Sequence, residues 1–230
     1  VLNLDEAQLR QDLTQLAKND SVQALTICFM NAYINGEHEI RAREIAREIF
    51  ADTPISLSSE VVPEMQEYER TETTVVNSYV KPEVATYVSN MQMALEDRMG
   101  ASTQLAILRS DGGLASARAA AESPVNLLMS GPAGGVSGAI YFCERAGYRS
   151  ILTCDMGGTS TDVALIQNAR ARVRRETIVG DVRVRAPSVD VRTVGAGGGS
   201  IAFVPELTKA LRVGPESAGA EPGPACYMKG

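Results

Sequence analysis

An α/β fold with mixed sheets flanked by helices is what this sequence predicts, on three observations. Helix-period patterns alternate with continuous apolar runs over residues 1–60. From residue 151 an apolar run, a glycine-containing polar turn and a second apolar run follow one another, the pattern of a β-hairpin. The chain has 230 residues and is 44% apolar, enough for a real hydrophobic core.

Taken in order, the first helix is expected over 5–17, where Leu9, Leu13 and Leu16 share one face. Ala24 to Phe29 is continuous and apolar, as buried strands are, so a strand is expected over 22–30. A helix over 37–50 and a strand over 55–59 complete an α/β layer with parallel strands. A helical stretch over 63–99 carries Val75, Val76, Tyr79, Val80, Val84, Tyr87, Val88 and Met91, and Pro82 should kink it or split it. Residues 104–109 read as a strand that turns at Ser110-Asp111-Gly112-Gly113, and 115–121 as a short helix. Residues 130–136 read as a glycine-rich loop leading into a helix that ends before Gly147. Its glycines, including Gly134 and Gly135, serve either close backbone approach or phosphate binding at a positive helix end. After the hairpin, strands are expected over 171–179, 182–185 and 189–194, before the glycine run 195–200. A domain boundary is expected at 148–150, dividing the chain into 1–148 and 149–230.

Composition excludes several function classes. A net charge of −6 with acids and bases interspersed argues against general nucleic-acid binding. Arg170, Arg172, Arg174, Arg175, Arg183 and Arg185 form a local basic cluster, either a stripe meeting an anionic partner or, the favoured reading, a solvated strand face. Cys28, Cys143, Cys154 and Cys226 are widely spaced with no C-x-x-C, so neither a zinc knuckle nor a redox pair is indicated. Cys28 and Cys154 lie in apolar strand patterns and are expected to be buried thiols. His38 is the sole histidine and sits in a polar stretch at a helix start, which removes a histidine-based metal cluster or catalytic triad. The uncharged run 123–143 contains Pro124, Asn126, Pro132 and several glycines, a poor membrane span. With no signal peptide visible, a cytoplasmic location is expected. The chain starts without Met and stops abruptly, and is expected to be an excised segment of something longer.

The hairpin carries the chemistry. In Asp155-Met156-Gly157-Gly158-Thr159-Ser160-Thr161-Asp162, two glycines lack Cβ atoms and can take positive φ, letting the backbone approach a phosphate. The hydroxyls of Thr159, Ser160 and Thr161 and consecutive backbone N–H groups then donate to its oxygens. Asp155, at the strand end, is placed to hold Mg²⁺ through water. Asp162 either orients an attacking group or a metal-bound water, or caps the turn. The spacing fits neither G-x-x-x-x-G-K-[ST] nor a dinucleotide fingerprint. The glycine run 195–200 also lacks the helix and the ribose-binding acid of a dinucleotide loop, so a buried backbone crossing explains it better.

These residues and the blocks around them resemble the hydantoinase A / 5-oxoprolinase family, which also includes acetone carboxylase subunits. The matching blocks are NAYINGEHE, SSEVVPEMQEYERTETTVVNSYVKP, RSDGGLAS, SGPAGGVSGA, DMGGTSTDVALI, TVGAGGGSIAFV and LRVGPESAGAEPGPACY, in family order along nearly the whole chain. That family is similar to the actin / sugar-kinase / heat-shock-chaperone ATPases, whose two related domains (ribonuclease H-like) each begin with a hairpin phosphate loop and close around ATP·Mg²⁺. The resemblance implies that DMGGTSTDV is the second phosphate loop, that the helix after SGPAGGV is the connecting helix, and that the first loop and the adenosine-binding residues lie outside this chain. It implies ATP and Mg²⁺ as cofactors, a B-type companion subunit and ATP-dependent opening of a cyclic amide such as a hydantoin or 5-oxoproline. The rival readings are an acetone-carboxylase-type subunit and a nucleotide-gated binding or assembly protein. One departure is Arg192, where the family often has His, which puts any role of that histidine in doubt here.

Overall fold

The computed structural model describes residues 3–18 and 21–229. In chain order the elements are α1 (Glu6–Leu16), β1 (Leu25–Ile27), α2 (Glu37–Ile49), β2 (Ile55–Leu57), α3 (Ser58–Val61), α4 (Glu67–Met99), β3 (Ala106–Leu108), β4 (Leu114–Ser116), α5 (Ala117–Glu122) and α6 (Ser130–Arg145). There follow β5 (Ile151–Met156), β6 (Thr161–Gln167), β7 (Arg170–Ala171), β8 (Val173–Arg174), β9 (Thr177–Val179), β10 (Val182–Val184), β11 (Ser188–Val189), β12 (Val191–Val194), β13 (Ser200–Phe203) and β14 (Arg212–Ser217).

The chain forms two compact units: residues 1–128 with 175–188, and residues 129–174 with 189–230. The division falls at Met129 rather than at 148–150. The reason is packing: Ala133 and Val136 of α6 are buried against Ala164 and Ile166 of β6, so the helix belongs with the hairpin that follows it.

In the first unit β1 and β2 pair in parallel, Leu25 opposite Ile55 and Ile27 opposite Leu57. Ala46 of α2 closes over Ile55 and Leu57, with Leu13 of α1 packed alongside. Helix α1 is capped by Asp5, whose carboxylate accepts from the Gln8 amide at 3.0 Å. The strands are shorter than expected, because Ser58 already starts a helical turn and Phe29 leads into turns. Helix α4 runs unbroken through Pro82, so of the two outcomes expected there, a kink or a split, the split does not occur. Proline removes one backbone donor, and burial along the helix at Arg70, Thr73, Thr74, Asn77, Ser78 and Val88 offsets that loss. Strands β9 and β10 form an antiparallel hairpin. Val184 and Ala186 pack with Val125, and Thr73 Oγ1 accepts from the Arg185 amide at 2.9 Å.

In the second unit β5, β6 and β12 form an antiparallel sheet in the order β12-β6-β5, with β7 added to β6 and α6 covering one face. β13 and β14 make a separate antiparallel pair. Of the strands expected after the hairpin, 182–185 forms as β10, whereas 171–179 is broken into β7, β8 and β9 and 189–194 into β11 and β12. Arg170, Arg172, Arg175 and Arg183 are exposed, as a solvated face requires, but the other two arginines of the cluster are engaged. Arg174 is instead ion-paired with Asp190. Arg185 is only 16% exposed and bonds Gln66, the Met65 carbonyl at 3.1 Å and Glu64 at 3.3 Å. Cys28 is half-buried and Cys154 exposed, so the expectation of two buried thiols fails, most clearly at Cys154 on the open face of β5. Among the described residues, no helix is long and apolar enough to cross a membrane.

Candidate functional site

The hairpin forms as its sequence indicates. β5 and β6 are antiparallel, with Asp155 opposite Asp162 and Met156 opposite Thr161. Ala164 and Ile166, two apart on β6, share the face turned to the core, and Thr161 at the strand's start is also buried. The turn is 157–160, closed by the Gly157 amide on the Ser160 carbonyl at 2.9 Å. Gly157, Gly158 and Thr159 are exposed and Ser160 half-buried.

Neither Gly157 nor Gly158 has the positive φ anticipated for it. A Cβ on Gly158 would meet nothing within 4 Å, and one on Gly157 only an ordinary contact at 3.5 Å. The fold itself therefore does not require glycine at 158. What glycine leaves there is bare, approachable backbone. The amides of Gly158, Thr159 and Ser160 have no acceptor among the described residues. The hydroxyls of Thr159 and Ser160 have no partner among the described residues, whereas buried Thr161 donates its Oγ1 to the Ala196 carbonyl at 2.5 Å, a structural commitment.

The two carboxylates flank the base of the turn. Asp155 is exposed; Asp162 is half-buried and its Oδ1 accepts from Thr193 Oγ1 at 2.6 Å. Residues 130–136 are the first two turns of α6, not a loop. Pro132 is tolerated there because the first turn of a helix lacks acceptors for its amides in any case. Gly135 faces the hairpin: a Cβ on it would sit 3.8 Å from Asp155 Oδ2. A cavity of about 440 Å³ between α6 and β5 is lined by Gly135, Ala139, Cys143, Thr153, Asp155 and Asp162. Gly134 lies one position away in α6 and does not line it.

Asp155, Asp162, Gly135 and the 157–160 turn are thus brought together, while Thr161 is committed to the Ala196 carbonyl and Gly134 lies off the cavity. Among the described residues no group of three or more His, Cys, Asp or Glu side chains could hold a metal ion alone. Two carboxylates with an open front still suit Mg²⁺, which completes its shell with water and ligand oxygens. Sequence reasoning missed two neighbours. Thr193 carries no motif of its own, and the glycine run indicates a backbone crossing but not its partner, which is the turn itself: the Gly198 and Gly199 amides donate to the Gly157 and Gly158 carbonyls at 2.9 and 2.6 Å. The run of glycines was the available signal.

Helix-flanked small sheets carrying this hairpin are consistent with an ATPase-like α/β fold. The chain belongs to the hydantoinase/oxoprolinase family: the Hydantoinase/oxoprolinase family model matches residues 70–230, and the model of the Hydantoinase/oxoprolinase N-terminal region matches residues 1–50. It is 37% identical over 227 residues to the caprolactamase subunit alpha of Pseudomonas jessenii, covering 99% of this chain and 32% of that one. It is 35% identical over 227 residues to the 5-oxoprolinase of Saccharomyces cerevisiae, covering 98% of this chain and 17% of that one. The crystal structure of the ATP-dependent caprolactamase from Pseudomonas jessenii superposes with a TM-score of 0.83 at 36% identity, over 99% of this chain and 32% of that one. A nucleotide-free structure of acetone carboxylase, solved for the mechanism of ATP-dependent acetone carboxylation, superposes with a TM-score of 0.78 at 32% identity, over 95% of this chain and 31% of that one. The chain therefore spans about a third or less of the length of these relatives.

Proposed function

We propose that this chain is part of an ATP-dependent hydrolase subunit that opens a cyclic amide, with the 157–160 turn as one of its phosphate-binding loops. The observation that carries the reading is the turn at 157–160, whose successive amides lack an acceptor among the described residues, set between two facing carboxylates. Such unpaired backbone donors in a concave turn suit an anion. The hydroxyls of Thr159 and Ser160 add donors, and Gly157 and Gly158 let an oxyanion come close. Asp155 is assigned to Mg²⁺ through water, and Asp162, oriented by Thr193, to an attacking or metal-bound water. Gly135 keeps the side of Asp155 free of a side chain.

ATP, when bound, supplies a phosphoryl group that turns a poor amide electrophile into a reactive one. The contribution of this chain's residues is positioning and charge neutralisation. Because the relatives include a caprolactamase subunit alpha and an acetone carboxylase beta subunit, the reading includes a companion subunit, of the B type. A cytoplasmic location belongs to it as well, since that is where ATP is supplied. A carboxylase reading has its own support in the acetone carboxylase superposition.

The test is phosphate release by the full-length protein with its companion subunit, assayed against hydantoins, 5-oxoproline, lactams and ketones with bicarbonate. Release stimulated by a cyclic amide is the expected result. Stimulation by ketones alone would make the protein a carboxylase. Nucleotide-dependent capture of a protein partner, with no small-molecule stimulation, would replace the enzyme reading by an assembly role.

A further inference from the structure

We infer that the glycine run at 197–199 is a template that shapes the phosphate loop and decides which of its amides face a ligand. The inference rests on the phosphate-loop reading above and adds residues far from the loop in sequence.

The two backbones lie against each other. A Cβ on Gly197 would stand 2.7 Å from the Gly157 carbonyl oxygen, 2.8 Å from the Ser160 nitrogen and 2.9 Å from the Gly158 carbonyl carbon. Real Cβ atoms do not approach backbone so closely, so no other residue fits at 197 without moving the turn. A Cβ on Gly199 would lie 3.0 Å from the Gly158 carbonyl oxygen and 3.1 Å from Ser217 Oγ. The run is itself held from behind. Ser200 Oγ accepts from the Gly197 amide at 2.8 Å, and the Gly199 carbonyl accepts from the Ala218 amide at 2.8 Å.

The hydrogen bonds set the polarity of the turn. The C=O of one residue and the N–H of the next belong to one planar trans peptide and point in opposite directions. The Gly157 carbonyl is drawn to the Gly198 amide and the Gly158 carbonyl to the Gly199 amide. The N–H groups of Gly158 and Thr159 are therefore turned away from the run, and neither has an acceptor among the described residues. Two adjacent donors fixed outward form a preorganised anion seat. Thr161 fastens the same pair of segments through its bond to the Ala196 carbonyl.

The experiment uses the full-length subunit with its companion, and ATP·Mg²⁺ as the probe. Gly197→Ala should weaken ATP binding about tenfold, the loss of roughly one charge-assisted hydrogen bond, and lower the melting temperature, since the backbone atoms that meet the added Cβ must shift. Gly138→Ala, in α6 with nothing within 4 Å of its added Cβ, should change neither. A folded Gly197→Ala protein that binds ATP as tightly as the unaltered one would overturn the template. Should that variant not fold, amide hydrogen exchange in the unaltered protein decides. Gly198 and Gly199 should exchange slowly with or without nucleotide, and Gly158 and Thr159 should become slow only with it. Slow exchange at Gly158 and Thr159 without nucleotide, or fast exchange at Gly198 and Gly199, would overturn the template. If the unaltered complex does not bind ATP at all, the phosphate-loop reading falls first and the template with it.

Discussion

The Glu39 carboxylate and the Arg70 guanidinium, both without solvent exposure, meet through a single hydroxyl: Ser58 Oγ donates to Glu39 Oε1 at 2.6 Å and accepts from Arg70 Nε at 3.1 Å. Glu39 also accepts from the amides of Phe29 and Ser59, each at 2.8 Å. Arg70 donates to the carbonyls of Phe29 at 2.7 Å and Glu64 at 3.1 Å, and its guanidinium lies over the Tyr33 ring. One buried network thus ties the ends of β1 and β2 to the start of α4.

Arg70→Met should cost about 3–5 kcal/mol, because it leaves the Glu39 carboxylate buried without its countercharge. Glu39→Gln keeps most of the shape and should cost less, about 1–3 kcal/mol. Urea unfolding of the full-length protein measures both. Equal and small losses would mean that the network is not closed to water.

The hairpin was legible because its determinants are local. Asp155 and Asp162 bracket a Gly-Gly turn between apolar runs, and pairing outward from such a turn brings the two acids opposite each other. The start of α6 was not legible, since Gly131, Gly134 and Gly135 disfavour helix, and only the burial of Ala133 and Val136 against a sheet later in the chain selects it. Arg174 and Arg185 show the same limit: their partners Asp190 and Glu64 are chosen by tertiary structure, so alternation does not mark these two off from Arg170, Arg172, Arg175 and Arg183, which are exposed as expected. The meeting of the glycine run with the turn depends on β6 and β12 pairing, with Thr193 opposite Asp162, a register that neither segment encodes alone.

Stability near α5 should depend on acid. The Lys81 ammonium, 2.7 Å from Glu122 Oε2, lowers that carboxyl below its ordinary value of 4.5. A depressed folded-state value means stabilisation that is fully present above the unfolded value and lost as pH falls through the folded one. Lys81→Met should therefore destabilise at pH 7 and lose its effect as pH falls below about 4.5, the ordinary carboxyl value. The Glu122 side chain is 66% exposed, so solvent screening limits the effect to about 1 kcal/mol or less. Denaturant midpoints of the two proteins at a series of pH values test this, and a gap that widens in acid would refute it.

The hairpin's anchorage to α6 rests on Ile166, which is 1% exposed and packed with Ala133, Val136 and Ala164. Ile166→Val should cost about 0.5–1.5 kcal/mol and Ile166→Ala about 2–5 kcal/mol, the graded loss expected of a filled core site. Chemical denaturation gives both values. A flat series would show that this face of β6 is not packed as described.

Asp155→Asn separates catalysis from folding. It removes the negative charge assigned to the Mg²⁺ shell and keeps the shape, and the exposed carboxylate has no hydrogen-bonded partner among the described residues to lose. Turnover in the full-length complex should fall by about two orders of magnitude, the scale of a lost transition-state electrostatic contact, while the melting temperature stays unchanged. Gly158→Val acts differently. Its side chain enters space open to solvent, so folding should tolerate it, but it covers the bare backbone that a phosphate would approach, and nucleotide binding should weaken. Arg174 cannot serve as the neutral comparison because of its pairing with Asp190, so Arg175→Ala, exposed and with no ion pair or side-chain hydrogen bond among the described residues, takes that place and should change neither property. Substrate-dependent phosphate release and a thermal melt for each variant distinguish these outcomes. Full activity in a stably folded Asp155→Asn protein would reduce the hairpin to a structural turn.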